Sequence, residues 1–289
     1  MNSDRFTKEE LNSFKRINGI KALTDKLNEA LLSDNAFDLL FELDRCGWLG
    51  YCIPEIEDLK GVETHNGLSH KDIFLHTLKV VQNLQSYGNE DLSLCWAALL
   101  HDIGKPATKR FSNDQGWTFN GHEIVGSDMA VVILDRLQLQ DEVNIKKVQK
   151  LVRLHLRPKT LVDSSVTDSG VRRLLTEAGQ YIDDLLLLSK ADITSDHIEK
   201  VNTLNAELLL VKSKLDTIQH KDELKAFKNP INGNHIMYVL GIEPSNVITI
   251  LKDAVRDAIL AGEIEHTFEA ADKYMRRYAE FKLGIKPVR

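Results

Sequence analysis

Several polar residues of this chain stand where helical phase calls for apolar ones, and they are of the types that bind metals. Leu94, Ala97, Ala98 and His101 follow an i, i+3, i+4, i+7 stripe, and Asp102 lies four residues after Ala98 on the same broad face. Val148, Leu151, Val152 and His155 repeat the pattern, as do Leu185, Leu188, Ser189 and Asp192. Ile73, His76, Val80 and Leu84 share a face at spacings of three, four and four, and His122 follows Gly121 near a helix start. Burying such groups without partners costs about 2 kcal/mol or more each. A metal centre shared by separate helices satisfies all of them at once. Scattered core residues, each hydrogen-bonded on its own, are the other arrangement that phase allows. Imidazole and carboxylate suit Zn, Fe, Mn, Co or Ni, and the mixed N/O set does not choose among these.

The elements that must position these residues are helices. Apolar residues recur at threes and fours almost throughout, and period-two alternation is scarce, so the expected fold is all-α. Gly104 and Pro106 stop the helix that carries His101 and Asp102, and Pro158 stops the one that carries His155. Residues Phe111 to Phe119 read as a small hairpin or a loop. Three regions follow: a helical lead-in (1–50), a histidine-rich section (51–198), and a long helix with a C-terminal helical section (199–289). In the long helix Val201, Leu204, Leu208, Val211, Leu215 and Ile218 form a heptad-like seam suited to a helical hairpin. The best C-terminal helix carries Ile248, Leu251, Val255 and Ile259.

Composition bounds the function. The 289 residues are 43% hydrophobic and 28% charged, with a formal net charge of −6, which excludes a strong, indiscriminate nucleic-acid binder. Cys46, Cys52 and Cys95 form no CxxC pair, so neither a disulfide framework nor a thiolate zinc site is expected. The N-terminus is polar and no apolar run approaches ~20 residues, which points to a cytoplasmic protein with no membrane partner. Gly104-Lys105 is not a phosphate-binding loop, because it lacks the upstream glycine and Pro106 replaces the Ser or Thr. Lys146, Lys147 and Lys150 read as a solvated face, and His65, His197, His220, His235 and His266 as solvated or capping residues.

The run His101-Asp102-Ile103-Gly104-Lys105, preceded by His76 and followed by Asp192 in Lys-Ala-Asp-Ile-Thr, resembles the signature of the HD phosphohydrolase superfamily. From about Lys21 almost to the end, the sequence is similar to the HD-containing C-terminal part of bacterial tRNA nucleotidyltransferases of the CCA-adding type. The stretches that carry this include LSHKDIFLHTLKVV, WAALLHDIGKPATKRF, GWTFNGHEIVG, VQKLVRLHLRPKTLV and KADITS. The resemblance implies an HD-domain helical bundle with an additional C-terminal helical section. It adds His122 and His155 to the ligands, giving His76, His101, Asp102, His122, His155 and Asp192. That set implies two divalent transition-metal ions bridged by Asp102, or one ion on the four core ligands; Mg also enters as a candidate metal.

The resemblance further implies hydrolysis of phosphate esters by metal-activated hydroxide, with Asp102 orienting it and Lys105 neutralising phosphoryl charge. Lys105, then Arg157, then His70, Lys71 and Arg173 are the candidates for holding substrate phosphate, although Lys105 and Arg157 also stand where a helix C-terminus attracts cations. The implied substrate is a 2′,3′-cyclic phosphate or 2′-phosphate on a nucleotide or an RNA 3′ end. A nucleotide phosphatase of other specificity and a non-catalytic RNA-binding module are the alternatives. About twenty residues precede the matching region, too few for a nucleotidyltransferase head, so CCA addition is not expected. The chain is then either a stand-alone HD enzyme or a fragment. The section Ile236 to Met275 resembles the tRNA-contacting tail, but Gly241 to Ser245 departs from the glycine-rich turn usual there.

Overall fold

The computed structural model describes residues 19–65, 68–69, 72–162 and 167–289. Helices dominate it, and the only sheets among the described residues are two short antiparallel hairpins. The all-α expectation holds. The apolar side chains at helical spacing sort into two separate cores, one through Ile218 and one from Gln219 onward.

In the larger unit, α1 (Gly19–Leu31), α2 (Ala36–Arg45) and α3 (Trp48–Cys52) bury Leu23, Leu27, Leu40 and Trp48 in the same core as the histidine-bearing helices. The lead-in is therefore part of that core. Next come α4 (Ile73–Ser86) and α5 (Leu92–Leu100), whose N-cap carboxylates Asp72 and Asp91 accept from the amides of Leu75 and Leu94. Every residue of α5 from Ser93 to Leu100 is buried, as expected of a helix that is apolar all round. After α6 (Lys105–Thr108), residues Arg110–Ser112 pair with Gly116–Thr118, so the Phe111 to Phe119 segment is a hairpin.

Next, α7 (His122–Arg136) packs on α6 and on α8 (Ile145–Leu154), and α8 in turn packs on α5. The short α9 (Arg157–Thr160) and α10 (Asp168–Ala178) lead to α11 (Ile182–Ala191), which crosses α4, α5 and α8. The long helix α12 spans Ile198–Ala226 and buries Val211, Leu215 and Ile218 of its seam.

The smaller unit holds α13 (Gly233–Leu240), α14 (Asn246–Leu260) and α15 (Phe268–Leu283) around Ile236, Leu251, Val255, Ala271 and Met275. No helix among the described residues is long and apolar enough to cross a membrane.

One surface reading is corrected. Lys147 is buried, and its ammonium lies 2.5 Å from Asp91 and 2.7 Å from Asp184. Those carboxylates come from other elements, so the lysine is an internal tie between helices, whereas Lys146 is exposed as expected.

Candidate metal centre

Three histidines are held in the same way. Nδ1–H of His101 donates to the carbonyl of Ala98, that of His122 to Phe119 and that of His155 to Val152, each at 2.7 Å. A carbonyl can only accept, so each Nδ1 carries a proton and Nε2 is the ring atom each histidine turns to the site. Ser189, one turn before Asp192 on α11, donates to the carbonyl of His155 at 3.1 Å and ties α11 to the end of α8. His76 contacts the Thr194 hydroxyl through Nδ1 at 2.8 Å, which turns its Nε2 inward.

The four Nε2 atoms converge on two carboxylates. Asp102 Oδ2 lies 3.2 Å from His101 Nε2 and 3.7 Å from His76 Nε2. Asp192 Oδ1 lies 3.0 Å from His76 and 3.7 Å from His101. The other oxygen of Asp102, Oδ1, lies 3.3 Å from His122 and 3.8 Å from His155. Asp102 thus faces one imidazole pair with each of its oxygens, and two donor groups form around it: His76, His101 and Asp102, and Asp102, His122 and His155. The helical stripes read from the sequence do end at one place.

Burial sets the electrostatics. It opposes charge on His101, but the Asp102 carboxylate outweighs it and holds that imidazole above its ordinary value. Burial likewise opposes charge on Asp102, and His101, His122 and Lys105 overcome it, leaving the carboxyl ionised well below the usual range. Asp192 is held below that range against burial by His76, His101 and Lys159. His155 is pushed down to about 3 by burial and by His101 beside it. Two ionised carboxylates therefore sit among four imidazole Nε2 atoms.

A divalent cation fits this donor set. His101 Nε2 is fully buried and makes no hydrogen bond, because Asp102 Oδ2 is near it but not aligned to accept. An orphaned buried nitrogen is costly unless a ligand satisfies it. The all-imidazole and carboxylate chemistry suits a transition metal.

Cations surround the opening. A cavity of about 370 Å³ exposes His76, Asp102, His155 and Asp192, and Lys105, Lys159 and Lys200 line it. Lys105 Nζ bonds Asp102 Oδ2 at 2.6 Å, and Lys159 bonds Asp192 Oδ2. Lys105 thus reaches the site and not the helix-end carbonyls. Arg157 and Arg173 do not line the cavity; both turn to Glu177, at 3.7 Å and 2.8 Å. His70 and Lys71 lie outside the described residues. Lys159, Lys200, Thr194 and Phe119 line this cavity as well, beyond the candidates the sequence offers. Lys159 had a signal, since it lies two residues beyond Arg157 in the same run; the other three have none.

Residues 73–196 match the family model for the HD domain, a span that contains all six ligand candidates. The chain carries an HD domain. Around it, the chain is similar to an A-adding tRNA nucleotidyltransferase of Deinococcus radiodurans, 30% identical over 89% of this chain and 58% of that protein. A CC-adding tRNA nucleotidyltransferase of Thermus thermophilus is 30% identical over 85% of this chain and 54% of the relative. A Multifunctional CCA protein of Pseudomonas aeruginosa is 30% identical over 48% of this chain and 35% of the relative. The chain thus spans somewhat more than half the length of the first two. The HD domain supports membership of the metal-dependent phosphohydrolases, and its His/Asp clusters are ones that can hold divalent metal.

Proposed function

We propose that the chain hydrolyses 2′,3′-cyclic phosphate or 2′-phosphate esters of nucleotides or RNA 3′ ends. One observation carries the phosphate-ester reading: Asp102 divides its two oxygens between two imidazole pairs at the floor of a cavity lined by three lysines. A bound divalent metal supplies an activated water and a Lewis acid for a phosphoryl oxygen. His76, His101, Asp102 and Asp192 would hold one ion, and Asp102, His122 and His155 a second.

The chain's own residues do the rest. The Nδ1 bonds of His101, His122 and His155 fix ring orientation and tautomer. Asp102, held ionised well below the usual carboxylate range, would orient the attacking water. Lys105 and Lys159, which line the cavity, would neutralise charge growing on phosphoryl oxygens. Ile73, Phe119 and Leu156 line the cavity with apolar surface, which strengthens these interactions by limiting water. That the relatives bear names of tRNA-acting enzymes supports an RNA end as substrate.

The test is turnover of 2′,3′-cyclic AMP, 2′-AMP, 3′-AMP, 5′-AMP and bis(p-nitrophenyl) phosphate by protein loaded with Mn, Ni, Co or Mg. Preference for the first two supports the reading. Preference for 5′- or 3′-monophosphates makes the chain a nucleotide phosphatase of other specificity. No turnover with any metal leaves the non-catalytic RNA-binding module.

A further inference from the structure

A second cavity, of about 460 Å³, lies beside the metal centre and shares Ile73 and Phe119 with the first. Phe119 is fixed between them. Its carbonyl accepts from His122, and Lys105 Nζ lies over its ring at 5.7 Å from the centroid. The two cavities differ in charge. The first has lysines at its carboxylates, whereas Glu55, Asp58 and Glu63 outnumber Lys60 and Lys109 around the second. Lysines are paired with carboxylates in both cavities, here Lys60 with Asp44 at 2.6 Å and Lys109 with Glu63 at 2.8 Å, so the sign of the excess charge is what separates them. Glu55 is bonded to Arg136 at 2.7 Å. Asp58 has no partner among the described residues.

A phosphate is repelled from such a cavity, but a neutral aromatic ring is not. Leu59, Ile103 and Met129 supply apolar wall, and Phe119 supplies a stacking surface one residue's width from the metal ligands. The volume falls in the range of small-molecule sites. An uncommitted carboxylate accepts from an exocyclic amino group, as carboxylates do with cytosine N4.

We propose that this cavity seats the base of the substrate while its phosphate lies in the lysine-lined cavity, and that it favours an amino-bearing base (cytosine, adenine or guanine) over uracil. The proposal rests on the phosphohydrolase reading above. Phe119 and Asp58 would be the specificity-determining residues.

Two arms of one experiment separate this proposal from its parent. In the first, cytidine and uridine, which carry no phosphate, are titrated into the full chain and backbone amide shifts followed by NMR. Cytidine should shift the amides of Phe119, Ala107 and Met129 with at least about tenfold tighter binding than uridine. Ala107 is exposed at the cavity rim, so Ala107→Trp can fill the space without entering the core, and it should abolish the shifts. Asp58→Ala should remove the preference for cytidine over uridine.

In the second arm, metal-loaded protein is given 2′,3′-cyclic CMP and the base-free methyl riboside 2′,3′-cyclic phosphate. Wild type should prefer the nucleotide by about tenfold or more in kcat/KM, and Ala107→Trp should erase that ratio. Turnover of both substrates without preference, and with no cytidine shifts, overturns the base site and leaves the phosphohydrolase. Cytidine shifts with no turnover of either substrate retain the base site and overturn the hydrolase.

Discussion

His122 and His155 point their Nε2 atoms at each other across 3.4 Å. Both rings give their Nδ1 protons to carbonyls three residues back, so with both rings uncharged the facing atoms are two lone pairs. Such a contact is repulsive unless a cation lies between or beside them, and His155 is too depressed, at about 3, to supply it by protonation near neutral pH. Together with Asp102 Oδ1 the pair would hold a cation. His122→Ala and His155→Ala should each lower the metal content of reconstituted protein from two equivalents to one, with circular dichroism unchanged. Retention of two equivalents in both variants would show that the pair holds no ion.

Gly104, at the start of α6, lies against the backbone of α7. A Cβ at this position would stand 2.3 Å from the carbonyl oxygen of His122 and 2.6 Å from the amide nitrogen of Gly126. Its φ of −81° is ordinary, so the demand is for space and not for backbone freedom. Gly104→Ala should therefore push the two segments apart, at a cost of about 1–3 kcal/mol. Because the wedge acts between Asp102 and His122, metal affinity should fall along with the thermal midpoint. Calorimetric titration with Mn checks the first, and thermal unfolding the second.

Lys159 tests the charge argument at the rim. Lys159→Ala should reduce kcat/KM for a 2′,3′-cyclic nucleotide about ten- to hundredfold. Lys159→Arg should recover part of the loss. Metal content separates two roles. If both ions stay, the lysine acts on the substrate phosphate. If an ion leaves with the side chain, the lysine only positions Asp192, to which it is bonded.

How much of this the sequence discloses depends on where each residue's partners lie. His101, Asp102, His155 and Asp192 are legible because each ends an apolar stripe on its own helix, and phase alone turns them inward. His122 is not. It opens α7 just after Gly121, which takes a φ of 80°, so the sequence shows its place near a helix start and the resemblance adds it to the ligands. Thr194 and Phe119 sit in connecting segments whose placement is set by tertiary packing. Arg157 and Arg173 look like phosphate ligands from their motif, but Glu177 lies within reach of both and takes them. Lys147 misleads for the same reason in reverse, since the carboxylates that admit it to the interior come from α11 and the N-cap of α5.

That lysine gives a pH prediction away from the metal centre. Burial tends to raise the Asp91 carboxyl, but Lys147 and the amides of α5 outweigh it and hold the group below its ordinary value near 3.8. A depressed folded-state carboxyl stabilises the fold above the unfolded-state value and loses that contribution as pH falls through the folded one. The thermal midpoint should thus drop below about pH 4. Lys147→Met should be destabilised at neutral pH by about 1–2 kcal/mol, reduced by the partial exposure of its partners. It should also show a shallower acid limb, measurable by thermal melts between pH 2 and 7.

A two-ion centre requires Asp102 to hold metal with both of its oxygens. Elemental analysis of the folded, reconstituted chain beside Asp102→Ala tests this most directly. Two equivalents of a divalent transition metal in the wild type, and none in the variant, are predicted. A natively folded wild type that takes up no metal, or an Asp102→Ala variant that keeps both ions, would contradict it.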